Sequence, residues 1–318
     1  MKTLLRSALA LSAMSVIACG GEATPEPVTP ATPPAEEPPH APAPKAPPLQ
    51  LQVITGSPEG FLVNSTLVSG EKDAVLIDAQ FTLADAKKVV DAINASKKHL
   101  TYVYVTHSHP DHYFGFVAIR EAFPDAKLVA LPQTVAEIEA TWQGKVEQWK
   151  PIYKDAIPEH PIVPEALSGS SIALEGETLE IAGNQPGDAA NNSYVWVASL
   201  GTLITGDLVY DAVYPWTAET TPETRQAWSA SLDRLNALTP KRVVPGHQKP
   251  EQTQEATNIA FTQGYLVAYD QALSSSKTAA DLQTKVKAQY PDAALDIVLK
   301  IGAEASLPPK GAKKKKGS

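Results

Sequence analysis

A single cysteine, Cys19, stands among 318 residues. One thiol cannot close an intramolecular disulfide, so no covalent cross-link stabilises this fold. Positive charge is also scarce: 27 Lys and Arg face 35 Asp and Glu, a formal charge of −8. That balance gives no general electrostatic reason to bind nucleic acid, and none to attract acidic substrates. The apolar run at residues 8–18 is too short to span a bilayer. No internal repeat is present. Apolar residues, in contrast, make up 43% of the chain and aromatics 7%, enough for a globular core. One catalytic domain with appendages is the simplest organisation.

Lys2 and Arg6 precede the apolar run, the order of an export signal. The run closes in Val16-Ile17-Ala18-Cys19-Gly20, which resembles the lipobox of bacterial lipoproteins, where the cysteine becomes the lipidated N-terminus. Residues 1–18 are therefore expected to be a signal peptide, and Cys19 a lipid anchor. The expected location is the bacterial cell envelope, on an outer-membrane or periplasmic face. Residues 19–50 are rich in Pro, Ala, Glu and Thr; such a segment favours polyproline II and is expected to be a disordered, semi-rigid tether at ~3.1 Å per residue. His40 falls in it and is not expected to be a ligand. Residues 51–306 are expected to form the catalytic domain. The tail at 307–318, with Lys313 to Lys316, is expected to be a solvated, disordered run.

Within the domain, β-rich runs at 51–54, 61–68 and 74–77 alternate with turn residues. Leu83, Ala86, Val89, Val90 and Ile93 share one helical face, which predicts a helix over 82–95 with Thr82 or Asp85 near its start. A strand at 100–105, a helix at 111–123 stopped by Pro124 and a strand at 127–130 follow. Val135, Ile138, Trp142, Val146 and Trp149 have helical spacing within 133–154. Further helices are predicted at 221–238 and 251–274. An amphipathic pair near 279–288 and 293–301 is expected to pack on the outside.

The strand at 100–105 empties into Thr106-His107-Ser108-His109-Pro110-Asp111-His112. Imidazole and carboxylate suit zinc and similar divalent ions, and few structural needs would gather these residues so closely. His107 and His109 are two apart, so extended chain points them to one side. Asp111 and His112 fall on the following turn, where they can aim at a second position. Two ions ~3.5–4 Å apart clamp both a water and a substrate oxygen. Two more apolar strands end in candidate ligands: Leu203-Ile204-Thr205-Gly206-Asp207, and Arg242-Val243-Val244-Pro245-Gly246-His247.

The stretch His107 to His112 resembles the signature of the metallo-β-lactamase superfamily, and the element order over 51–270 is similar to it. The resemblance implies an α+β fold, a four-layer αββα sandwich, here with a C-terminal helical extension. It implies a site for one or two Zn2+ ions, or other divalent metals, at one edge between the sheets. Asp207 matches the carboxylate that bridges the two metals, and His247 the last ligand, joining Asp111 and His112. Relatives with a cysteine ligand at the second position are excluded. The family's further histidine has no counterpart, since none lies between His160 and His247. The corresponding loop offers Asn184, Gln185 or Asp188, with water as the other possibility. A carboxylate is the better zinc ligand, which puts Asp188 first and makes weaker metal retention the expectation there. His160, in a proline-bounded insertion, comes too early.

The expected chemistry is attack by a metal-activated hydroxide on an ester-like bond: lactone, thioester, ester or β-lactam. Asp111 or Asp207 would orient the nucleophile and shuttle a proton. Tyr210, Tyr214, Trp216 and Trp149 are candidate pocket walls, Tyr153 is left open, and Trp142 reads as packing. Expected partners are a small-molecule substrate and, through Cys19, a membrane. The missing histidine motivates a second reading: a lipid-anchored binding protein that has kept the fold and lost turnover.

Overall fold

A computed structural model describes residues 48–308. The expected signal peptide, Cys19, His40, the tether as far as residue 47 and the Lys run at 313–316 lie outside the described residues. Two mixed sheets form the centre. The first runs in the order β1 (Gln50–Thr55), β2 (Asn64–Ser69), β3 (Asp73–Ile77), β4 (His99–Tyr104), β5 (Lys127–Ala130) and β6 (Glu165–Ala166). Its first three strands pair antiparallel, and β3 to β6 pair parallel. The second sheet contains β7 (Ser171–Leu174), β8 (Glu177–Gln185), β9 (Asn192–Val197) and β10 (Thr202–Ile204). It closes on β12 (Arg242–Val244), parallel to β10. Between these in sequence comes β11 (Tyr210–Asp211), which pairs parallel with β13 (His247–Gln248).

Alternation along the strands assigns the layers. Val68, Val75, Ile77, Tyr104 and Val129 of the first sheet meet Leu179, Ile181, Val195, Val197, Ile204 and Val244 of the second in one buried cluster. Leu203 and Val243, each one residue away, point to the other face and pack on Trp228, Leu232 and Leu235 of α5 (Pro222–Ala237) and Ile259 and Leu266 of α6 (Asn258–Ser275). The outer face of the first sheet is covered by α1 (Leu83–Ser96) and α3 (Phe116–Ala122). The result is the four-layer αββα sandwich with C-terminal helices. Each aliphatic side chain so buried contributes ~1.5–3 kcal/mol relative to exposure.

The helix predicted over 82–95 forms as α1 because its local signals agree. Thr82 accepts the Asp85 N–H as N-cap, Ala86, Val89, Val90 and Ile93 are buried, and Lys97 ends it in the left-handed region. The predicted helix at 111–123 is broken. It divides into α2 (Pro110–Tyr113) and α3, with Gly115 between them pressed against the loop that follows β3. A Cβ at Gly115 would lie 1.7 Å from the Ala79 carbonyl oxygen. The run predicted as a strand over 61–68 starts only at Asn64. Phe61 and Leu62 take φ of 62° and 56°, reversing the chain after a 3-10 turn capped by Ser57.

The expected insertion at 133–154 is one helix, α4 (Pro132–Tyr153). The helix predicted from 251 begins at Asn258, because residues 251–257 turn back along β12: the Gln254 carbonyl accepts the Val243 N–H, and its side chain accepts from Arg242. The last pair, α7 (Ala279–Gln289) and α8 (Asp296–Ser306), does more than cover the outside. Leu282, Val286, Val298, Leu299 and Ala303 join the largest core cluster. Among the described residues, no helix is long and apolar enough to cross a membrane.

Candidate metal centre

Every candidate ligand leaves the end of a strand, and the parallel pairings bring those ends to one edge of the sandwich. β4 delivers His107 to His112, β10 delivers Asp207, β12 delivers His247, and the β8–β9 connection delivers Asp188. Two groups of possible ligand atoms result. His107, His109, Asp188 and Asp207 form one; Asp111, His112 and His247 form the other; within each, the atoms lie within 4.8 Å of one another. All are buried except Asp111, which is partly exposed.

Asp207 stands between the groups. Its Oδ2 is 3.7 Å from His107 Nε2 and 3.2 Å from His247 Nε2, and its Oδ1 is 3.1 Å from His112 Nε2. His247 Nε2 is also 3.4 Å from Asp111 Oδ2. Gly246 permits this approach, since a Cβ there would lie 2.1 Å from Asp207 Oδ1.

The ring nitrogens facing away from this centre are held by the protein. His107 Nδ1 lies 3.0 Å from Thr106 Oγ1, and His112 Nδ1 lies 2.8 Å from Asp78. His247 Nδ1 donates to the Phe61 carbonyl at 2.6 Å. The reversal at Phe61 thus aims a carbonyl at the site. These contacts fix ring orientation and turn the Nε2 atoms inward, as outer partners of metal-binding histidines do. His109 is turned the other way: Nδ1 lies 2.9 Å from Asp188 Oδ2, and Nε2 lies 3.5 Å from Glu219 Oε2.

Asp188 is fully buried. Asn192 donates to its Oδ1 at 3.0 Å, and the Tyr210 hydroxyl lies 3.3 Å from its Oδ2. Of the three substitutes weighed for the absent histidine, the structure brings only Asp188 to the ligands. Asn184 is exposed, and the Gln185 oxygen accepts instead from Arg234. His160 is exposed, with its ring 6.3 Å from that of Trp142.

Protonation follows this crowding. Burial pushes the Asp207 carboxyl up, but the imidazoles of His247, His112 and His107 outweigh it and hold the group well below its ordinary value. Burial raises Asp188, with His109 working against it. Burial and the neighbouring His112 keep His107 well below the usual histidine range. His112 and His247 go the other way, because Asp207 and neighbouring carboxylates overcome the penalty of burial. Tyr210 is raised well above its ordinary value by burial and then by Asp188 and Asp207, so its hydroxyl stays a donor.

A cavity opens over the ligands. Tyr210, Tyr214, Trp216 and Trp149 all line it, with Phe61, Lys145, Glu219, Leu295 and Val298. Trp142 and Tyr153 do not line it; Tyr153 packs edge-on against Phe81 and donates to the Glu59 carbonyl. Sequence reasoning passed over Asp78, although Val75-Leu76-Ile77-Asp78 is one more apolar strand ending in a carboxylate. Lys145, Glu219, Leu295 and Val298 carried no sequence signal, since only tertiary packing brings them here.

A family model described as the metallo-beta-lactamase superfamily matches residues 58–247. The chain is 28% identical over 156 residues to the uncharacterized protein YobT of Bacillus subtilis, covering 48% of this chain and 65% of that one. It is 22% identical over 201 residues to the beta-lactamase-like protein 2 homolog of Caenorhabditis elegans, covering 62% and 60%. The match thus spans less than two thirds of either relative. Similar solved structures include a metallo-beta-lactamase from Pontibacter korlensis, with a TM-score of 0.52, 21% identity, and 69% and 95% of the two chains covered. Another is a metallo-beta-lactamase family protein from Thermus thermophilus, with a TM-score of 0.57, 20% identity, and 81% and 91% covered. At these identities the likeness is one of fold.

Proposed function

The chain belongs to the metallo-β-lactamase superfamily, and from that premise we propose that it is a zinc-dependent hydrolase of ester-like bonds: lactone, thioester, ester or β-lactam. One observation carries the reading: Asp207 lies within 3.1–3.7 Å of three inward-turned Nε2 atoms that belong to both ligand groups. The donor set fits divalent metal. His107 Nε2 is buried without a hydrogen-bond partner, and the surrounding imidazoles and carboxylates match the ligand chemistry of zinc. His107, His109, Asp188 and Asp207 would hold one ion, and Asp111, His112 and His247, sharing Asp207, a second. A bound divalent ion supplies Lewis acidity, lowering the pKa of water and polarising a carbonyl.

The chain's own groups supply the rest. Asp111 lines the cavity, is partly exposed and offers a carboxylate that can accept a proton from an attacking water and return it to the leaving group. Asp207, ionised and buried, orients without itself taking the proton. The Tyr210 hydroxyl donates to Asp207 Oδ2 at 2.6 Å, and its ring stacks on His247 with centroids 5.2 Å apart. That donation and that stacking hold Asp207 and His247, two of the candidate ligands, in their orientations. The binding-only alternative draws its force from the absent histidine, and Asp188, 2.9 Å from His109 Nδ1 in the first ligand group, supports the catalytic reading over it. The lipobox-like sequence at Cys19 supports tethering of this activity to the bacterial envelope.

The test is hydrolysis of lactone, thioester, ester and β-lactam probes by the metal-loaded chain. At least one class is turned over, and chelator or His112→Ala lowers the rate by at least ~10³-fold, the loss of metal-supplied catalysis. Turnover that survives both treatments would overturn the proposal.

A further inference from the structure

The hydrolase reading names the bond cleaved and says little of what the bond joins. The cavity walls beyond the metal ligands bear on that. Aromatic and aliphatic side chains dominate them: Phe61, Trp149, Tyr214, Trp216, Leu295 and Val298. Among the described residues, the other polar side chains there are Lys145, Gln148, Glu219 and Tyr210, and Lys145 and Glu219 satisfy each other, with Lys145 Nζ 3.2 Å from Glu219 Oε1. The ion pair cancels the one lysine charge in the lining. Among the described residues, an ionic substrate arm therefore finds no unpaired charge in the wall beyond the ligands, while an apolar arm finds a largely apolar surface.

The apolar wall is built rather than incidental. Trp149 packs edge-on against Phe61 with centroids 5.4 Å apart, and against Phe81 at 5.8 Å. Leu295 is held in the left-handed region, at φ 68°, as the residue that starts α8. The preceding residue is pinned to the segment after Asp207: the Ala294 N–H donates to the Ala212 carbonyl at 2.9 Å, and the Tyr214 N–H to the Ala294 carbonyl at 3.0 Å. Val298 is buried one turn further on. Leu295 and Val298 lie beyond residues 58–247, so this part of the wall is added to the family core by the C-terminal helices.

Resting on the hydrolase reading, we infer that the substrate is an acyl compound whose non-reacting arm is an uncharged, apolar chain, seated against Phe61, Trp149, Leu295 and Val298. The arm gives binding energy in proportion to the area it removes from water, and the C-terminal helices set its length.

The full chain, metal-loaded, is assayed on p-nitrophenyl alkanoates from acetate to decanoate. kcat/KM rises about fourfold per added methylene until the cavity is filled, mainly through KM. Val298→Phe moves the optimum to a shorter chain and Trp149→Ala to a longer one, with melting curves confirming that both variants fold. A second readout needs no metal: after chelation, n-alkanols from butanol to decanol quench tryptophan fluorescence, and the Kd falls about fourfold per methylene. Ester turnover and alkanol binding that are both independent of chain length would overturn the inference while leaving the hydrolase reading standing. A graded alkanol series without hydrolysis of any ester would uphold the apolar site and count against ester hydrolysis. Unshifted optima in both variants would remove the assignment to Val298 and Trp149.

Discussion

Asp188 brings a formal negative charge to a buried place where the family's usual ligand is a neutral imidazole. Burial disfavours that charge, and His109 and the Asn192 amide supply only part of the compensation. A cation held with His107, His109 and Asp207 would supply the remainder. Asp188→Ala is therefore expected to lower bound metal by up to one equivalent per chain and activity by at least about tenfold, whereas His160→Ala leaves both unchanged. Metal analysis of the two purified variants checks this; equal, negligible effects would remove Asp188 from the ligands. Asp78 acts one step further out. It accepts from the Thr106 N–H at 2.8 Å and hydroxyl at 2.9 Å, and lies 2.8 Å from His112 Nδ1. One carboxylate thus fixes both the start of the histidine loop and the tautomer of one of its rings.

Helix α4 ties together two of the loops that carry ligands. Its Glu137 accepts from the Ser108 hydroxyl at 2.9 Å and from the Asn191 amide. Ser108 lies between His107 and His109, and Asn191 follows Asp188, so one side chain spans both halves of the first ligand group. Glu137→Ala should cost ~1–3 kcal/mol by leaving two donors unmatched, a fall of several degrees in Tm for a domain of this size. The expected loss in kcat/KM is larger than that stability change alone explains, because ligand geometry loosens. Thermal melts and kinetics on the same preparation separate the two effects; unchanged kcat/KM at a lowered Tm would make the clamp purely structural. Elsewhere, local signals were overruled by contact. α1 formed as its periodicity required, whereas the periodic run at 111–123 broke at Gly115, where the backbone presses on the Ala79 carbonyl.

At the scale of the whole molecule, packing also sets how stability depends on pH. Asp211, on the short strand paired with His247 and Gln248, is 8% exposed, and burial raises its carboxyl to about 6. The neutral form is the one the fold prefers. Its contribution is complete below the ordinary value of 3.8 and is lost as pH rises through about 6. Asp211→Asn should therefore raise stability at pH 7 by on the order of 2 kcal/mol and change little near pH 4. Denaturant unfolding across that range measures it, and an equal effect at both pH values would contradict the assignment to burial.

The histidine motif was legible in the sequence and through its resemblance implied the family and the αββα class; the residues at three strand ends were legible too, because they rest on short-range facts. Histidines two apart in extended chain share a side, apolar strands alternate, and Thr82 caps the helix that follows it. The sequence even pointed to Asp188, on the chemistry of the donor. It could not tell that the Phe61 carbonyl faces His247, that Asp78 holds His112, that Glu137 joins two loops, or that Leu295 and Val298 reach the cavity from the far end of the chain. Each of those depends on where elements distant in sequence come to rest, which is fixed by burying one shared apolar interior. No local pattern of residues carries that information.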